Sequence, residues 1–229
     1  MDFESFTLLA ATDDLGVEPA AREDADGLEL RMDFTDDPLA QLDTYDGDLP
    51  ILVTNRPTWE GGEAADTTER LDTLETALEY EAVTAVDLEL AALDGAVDHD
   101  ARRVADVARD HGASVVVSTH NFESTPDRNA IVDRLERACA HGDVGKMAST
   151  AQSPDDVLAM LGATREVSAA GERVATMCMG AAGRHSRAVA PLYGSRIGYA
   201  PVDPADATAP GQYDLATLRT LVDQLQTDE

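Results

Sequence analysis

Short apolar runs alternate along the chain with longer segments in which apolar residues recur every three or four positions. The runs predict eight strands, Thr7–Ala11, Leu28–Phe34, Ile51–Asn55, Ala85–Leu90, Ser114–Thr119, Val144–Ser149, Val174–Met179 and Ile197–Val202. Between them, Leu71, Leu74 and Leu78 form one helical stripe, and Val104, Val107 and Ala108 another. Thr125-Pro126 and Ser153-Pro154 each predict an N-cap with proline in the first turn. The second of these helices carries Val157, Leu158 and Leu161, and Gly162 is expected to end it. Asp214 is placed to cap a last helix bearing Leu215, Leu218, Val222 and Leu225.

Strand–helix alternation implies a parallel sheet with helices outside it. Eight repeats in 229 residues predict an α/β fold, a (β/α)8 TIM barrel, as one domain spanning 1–229. An open doubly wound sheet is the competing architecture, but no glycine-rich phosphate turn follows the first strand. In a barrel, the strand face opposite the helices points inward, and two strands put charge there. The second alternates Glu29, Arg31 and Asp33 with apolar residues, and the fourth places Asp87 and Glu89 between Val86, Leu88 and Leu90. A solvated antiparallel face explains either strand alone; inside a barrel the charges require pairing or a polar ligand.

Composition narrows the setting. The chain has 45 acidic against 17 basic residues, a net charge of −28. Such a surface repels nucleic acid and anionic membranes, so neither is an expected partner. At high salt the repulsion among carboxylates is screened, which points to a high-salt habitat. No apolar run is long enough to span a bilayer. The opening MDFESFTLLAATDD carries acids where an export signal carries positive charge, so a cytoplasmic location is predicted. Cys139 and Cys178 match no metal or redox spacing and read as small buried side chains.

The basic residues carry a sharper signal, because 16 are arginine and Lys146 is the single lysine. Guanidinium never deprotonates in a protein, so arginine cannot replace lysine where a neutral amine must attack a carbonyl. Lys146 lies inside the sixth strand, beside Gly145 and Ala148, which would leave room for a ligand. Burial and nearby arginines are expected to favour the neutral amine. His120 ends the fifth strand, at the catalytic end of a barrel, whereas His99, His111 and His141 fall on helices or their ends. Arg56 and Glu60 follow the third strand, Arg187 follows the seventh at a helix start, and the small-residue loop containing Thr208 and Gln212 could form a lid.

These segments resemble the type I 3-dehydroquinate dehydratase family. The resemblance rests on LELRMDF, TNRPTWEGG, VSTHNF with STP, DVGKMAS, MGAAGRHSR, YGS and APGQ, in register from Leu28 to Gln212. It implies a (β/α)8 barrel, commonly a homodimer, with no metal and no organic cofactor, from a halophilic archaeon given the charge. It also implies that Lys146 forms a Schiff base with 3-dehydroquinate, and that His120 is the acid–base catalyst, held by Glu60. By the same resemblance Arg187 binds the substrate carboxylate, and Glu29, Arg31 and Arg56 contact ring hydroxyls or keep the pocket's charges paired. Thr208 and Gln212 close over the ligand, and Ser195 lies near the mouth. Threonine at 208 departs from the family's usual serine, which keeps the hydroxyl and adds a methyl to the lid. Read without the resemblance, the same residues also fit a class I aldolase or a noncatalytic binding barrel.

Overall fold

A computed structural model describes residues 1–97 and 100–226; His99 lies outside them. Its strands are β1 (Thr7–Thr12), β2 (Gly27–Arg31), β3 (Ile51–Thr54), β4 (Val83–Glu89), β5 (Ser114–Asn121), β6 (Val144–Thr150), β7 (Val174–Met179) and β8 (Ile197–Ala200). All pair in parallel, in the order β7-β6-β5-β4-β3-β2-β1-β8. The ends β7 and β8 meet through a bridge between Val174 and Ser195, with the Arg196 amide donating to Val174 O at 2.7 Å. The eight strands thus form a nearly closed (β/α)8 barrel, as predicted.

Alternation along each strand builds two cores. Outward-facing Val86 and Leu88 of β4 pack with helix residues such as Leu71, Leu74 and Val104. Inward-facing Leu9, Leu52, Ala85, Val116 and Val144 fill the barrel together with Phe3. Further along the strands the interior changes character, because Glu29, Asp87, Glu89, Ser118 and Lys146 are buried there. Apolar packing therefore closes the N-terminal end and leaves a polar chamber at the C-terminal end.

The predicted elements are present, and their ends supply the corrections. The second strand stops at Arg31, and Met32–Phe34 form a 3-10 turn, so Asp33 does not continue the inward face. The turn wraps around the Arg31 guanidinium, which donates to both Asp33 oxygens at 2.9 and 2.7 Å and lies 3.9 Å from the Phe34 ring centroid. The helix after β5 starts at Arg128 with Asp127 as its cap, not Thr125. Thr125 instead donates to Thr150 O at 3.0 Å, tying the loop to the end of β6. Ser153 does cap its helix through a capping box, but that helix continues through Gly162 to Ala169. Buried Leu161, Ala163 and Val167 hold it, against a glycine penalty of about 1 kcal/mol. Gly162 faces the Arg128 side chain, where an added Cβ would meet Nε at 3.3 Å. Asp214 caps the last helix, Leu215–Gln226, by accepting from Thr217 N at 3.0 Å. No helix among the described residues is long and apolar enough to cross a membrane.

Candidate active site

The polar chamber opens into one pocket lined by every predicted site residue: Lys146, His120, Glu60, Glu29, Arg31, Arg56, Arg187, Thr208 and Gln212. Parallel register sets much of this arrangement. Ser118 pairs with Lys146 and His120 with Ala148, so the imidazole stands one inward-facing step above the amine on the neighbouring strand. Gly145, just before the lysine, is needed for packing: an added Cβ would lie 2.7 Å from Cys139 Sγ and 2.8 Å from Leu135 O.

Lys146 is buried, and its Nζ donates to Asp87 Oδ2 at 2.8 Å. The other Asp87 oxygen accepts from Arg56 at 2.7 Å and from Ser118 Oγ at 2.6 Å. Arg56 also donates to Glu89 at 2.8 Å, and Arg70 completes the network with a 3.1 Å contact to Glu89. Besides burial and the neighbouring Arg56, the amine has a carboxylate bonded directly to it. Burial alone would raise the Asp87 value, but Arg56 and Lys146 outweigh it and hold the carboxyl well below its ordinary range. Burial would likewise lower Arg56, yet Asp87 and Glu89 keep it above the usual arginine value. Glu89 is raised, chiefly by its own burial. The strict alternation in β4 was thus the sign of a buried ionic cluster.

His120 is held by Glu60, whose Oε1 accepts from the His120 amide at 2.6 Å and contacts ring Nδ1 at 3.1 Å. The ring stacks on half-exposed Phe122, with centroids 5.7 Å apart and planes 8° from parallel. Burial pushes His120 down to about 4, with Arg56 and Lys146 adding to the shift and Glu60 opposing it. Gly61, after Glu60, has φ +82° and lies against the Phe122 ring, where a side chain would collide. The tight turn places carboxylate, imidazole and ring together.

Arg187 is buried on a short helix, Ser186–Val189, with a weak 3.7 Å contact to Met177 Sδ. Its Nε has no hydrogen-bond partner among the described residues. Burial lowers its value to about 10. A guanidinium desolvated and left with open donors in a pocket is suited to a carboxylate. Glu29 accepts from Thr54 Oγ1 at 2.8 Å. The predicted lid lies across the pocket, where Gln212 Oε1 accepts from the Ala209 amide at 3.1 Å and its Nε2 donates to Thr208 Oγ1 at 3.3 Å. Gly211, at φ +81°, presses against Gly180 so closely that a Cβ would come within 2.7 Å of its carbonyl oxygen.

Ser195 is not at the mouth. It precedes β8 at the opposite end, buried, with its Oγ accepting from the Thr176 amide at 3.0 Å. There it helps close the β7–β8 seam, a role that the YGS motif cannot reveal. Among the described residues the other histidines stay outside the pocket; His141 pairs with Asp94 at 2.8 Å and His111 ends a helix. Cys178 is buried and Cys139 partly so, both unpaired. Among the described residues, no group of three or more His, Cys, Asp or Glu side chains is placed to share a metal ion. Sequence reasoning missed Tyr199, Met177, Met179 and Phe122 as lining residues. As apolar or aromatic positions in or beside strands they read as core; inward parity on β7 and β8 was the available signal.

The profile of a family described as Type I 3-dehydroquinase matches residues 10–229. The 3-dehydroquinate dehydratase of Haloarcula marismortui is 90% identical to this chain, covering 100% of both. That of Halobacterium salinarum is 51% identical, over 99% of this chain and 100% of the relative. Both relatives support the halophilic archaeal source expected from the acid excess. Among solved structures, the 3-dehydroquinate dehydratase of Geobacillus kaustophilus superposes with a TM-score of 0.85 at 29% identity, covering 97% of this chain and 92% of that one.

Proposed function

The chain belongs to the type I 3-dehydroquinase family, and we propose that it converts 3-dehydroquinate to 3-dehydroshikimate and water through an imine on Lys146. The observation that carries this reading is the placement of the single lysine. Its amine lies buried in the pocket, one step below an imidazole, with an under-bonded arginine in the same pocket wall.

The chemistry follows from these groups. Arg187 takes the substrate carboxylate and fixes the ring's orientation. The Lys146 nitrogen adds to the ketone carbon, and the ketone oxygen leaves as one water with two of the ammonium's three protons, so an iminium remains. Its positive charge acidifies the adjacent carbon, and His120 removes a proton there. The bonding pair moves toward nitrogen as an enamine, then returns to expel the hydroxyl two carbons from the imine. His120, now imidazolium, gives that hydroxyl its proton, so the second water leaves neutral. Hydrolysis returns one water to the imine, freeing amine and enone. Burial lowers the His120 value, so the imidazole is neutral when a base is needed, and once protonated it gives up its proton readily. Glu60 fixes the imidazole. Glu29, Arg31 and Arg56 border the ring hydroxyls, while Thr208 and Gln212 cover the ligand from the lid.

We further assign residues 1–229 to a single catalytic domain acting as a homodimer in the cytoplasm, without metal or organic cofactor and without a nucleic-acid partner. Sedimentation at molar salt, which separates one copy from two, tests the assembly. The activity itself is tested by mixing purified protein with 3-dehydroquinate and following the conjugated enone by absorbance. Lys146→Ala should produce none. A wild-type protein that generates no enone at molar salt overturns the proposal.

A further inference from the structure

Tyr199 has no part in the roles assigned so far, although it stands beside the reacting amine. It comes from β8 with its side chain inside the barrel, is buried, and lines the same pocket. Lys146 Nζ lies over its ring, 4.2 Å from the centroid. The phenol oxygen has no hydrogen-bond partner among the described residues. The ring face, not the hydroxyl, is therefore the part of Tyr199 in contact with a functional group.

Two attractions hold the Lys146 nitrogen, a hydrogen-bonded ion pair and the face of a ring. The bond to Asp87 needs an N–H. An ammonium has three N–H groups and a protonated imine has one, so condensation removes most of the nitrogen's capacity to donate. A ring face attracts positive charge whatever carries it, and more strongly where water is excluded. As ammonium gives way to iminium, one N–H and the positive charge remain, so Asp87 and the ring face both still attract the nitrogen. We propose that Tyr199 is a further catalytic residue of this site, its ring face stabilising the positively charged imine nitrogen of Lys146. The proposal rests on the imine chemistry assigned above. The alternative is that Tyr199 only fills space in the barrel interior.

Borohydride trapping in a single turnover and kcat, both at molar salt, distinguish these. Tyr199→Leu removes the ring and should lower the trapping rate and kcat on the order of tenfold, with KM moving less than kcat. Tyr199→Phe, which loses only the hydroxyl, should fall several-fold less. A shape-keeping series, phenylalanine at position 199 with one, two or three ring fluorines, weakens the ring face without opening a cavity. Its trapping rate should decline stepwise, and it decides the matter even where Tyr199→Leu does not fold. A flat series, or a folded Tyr199→Leu that traps like wild type, overturns the ring's role and leaves the imine reading standing. A wild-type chain that traps nothing removes that reading and this proposal with it.

Discussion

A single oxygen of Glu60, Oε1, holds His120 twice, accepting from its amide at 2.6 Å and meeting its ring Nδ1 at 3.1 Å. A carboxylate only accepts, so Nδ1 carries the hydrogen and Nε2 is left as the basic nitrogen. Glu60→Ala should lower kcat by roughly 10–100-fold, part of what a positioned acid–base group contributes, with thermal stability at molar salt little changed. The pH profile carries a second signature. With His120 at about 4, the neutral base is present above that pH and is lost as pH falls through it. The acid limb of kcat/KM should therefore lie well below the value of about 6.5 set by an ordinary histidine. Because Glu60 raises the His120 value, its removal should move the limb lower still. A limb near neutrality in the wild type contradicts the assignment.

Asp87 balances two buried cations, with Arg56 on one oxygen and Lys146 on the other. Asp87→Asn keeps the shape but leaves positive charge uncompensated in the barrel. A destabilisation of about 3–5 kcal/mol is expected, in the range for breaking a buried pair. Denaturant unfolding at fixed high salt measures it, and a loss below 1 kcal/mol, on the same scale, would mean the cluster is not needed for folding.

Arg187 has open donors but sits in a tight pocket between Met177 and the lid carbonyl of Pro210. Arg187→Ala should raise KM for 3-dehydroquinate about 10–100-fold, the worth of charged hydrogen bonds. Arg187→Lys should recover only part, since an ammonium cannot offer the planar fork. Steady-state kinetics of the two variants test whether this side chain binds the carboxylate.

Screening weakens the mutual repulsion that a charge of −28 imposes. At about 1 M salt the screening length is about 3 Å, against about 10 Å at 0.1 M. The melting temperature should therefore rise steeply with KCl concentration, and the fold should be lost in dilute buffer. A Tm independent of salt would contradict the reading of the acidic surface.

How much of this was legible depended on whether a residue's fate was decided locally. Alternation of charge in β4 survives in the sequence because strand parity is local, so Asp87 and Glu89 announced the polar interior before any partner was visible. Lysine scarcity singled out Lys146 through composition alone. Gly162 misled, since a helix interior tolerates glycine where neighbours such as Leu161 and Val167 pack it down. Thr125 misled because its hydroxyl is taken by the end of β6, a tertiary bond absent from local pattern. Asp33 shares the parity of Glu29 but is drawn into a turn by Arg31. Ser195, placed at the mouth by analogy, lies beneath the barrel. Tyr199 looked like any core aromatic, and only the amine above its ring distinguishes it. The residues alone could not separate a dehydratase from a class I aldolase; family membership does.

The central claim is that the Lys146 amine becomes covalently bonded to substrate carbon. Incubating the protein with 3-dehydroquinate and borohydride at molar salt, then digesting it and mapping the added mass, tests this directly. The account predicts a stable secondary amine on the peptide containing Lys146, dependent on substrate and absent from Lys146→Ala. Undiminished turnover with no adduct, or an adduct that persists in Lys146→Ala, would contradict it.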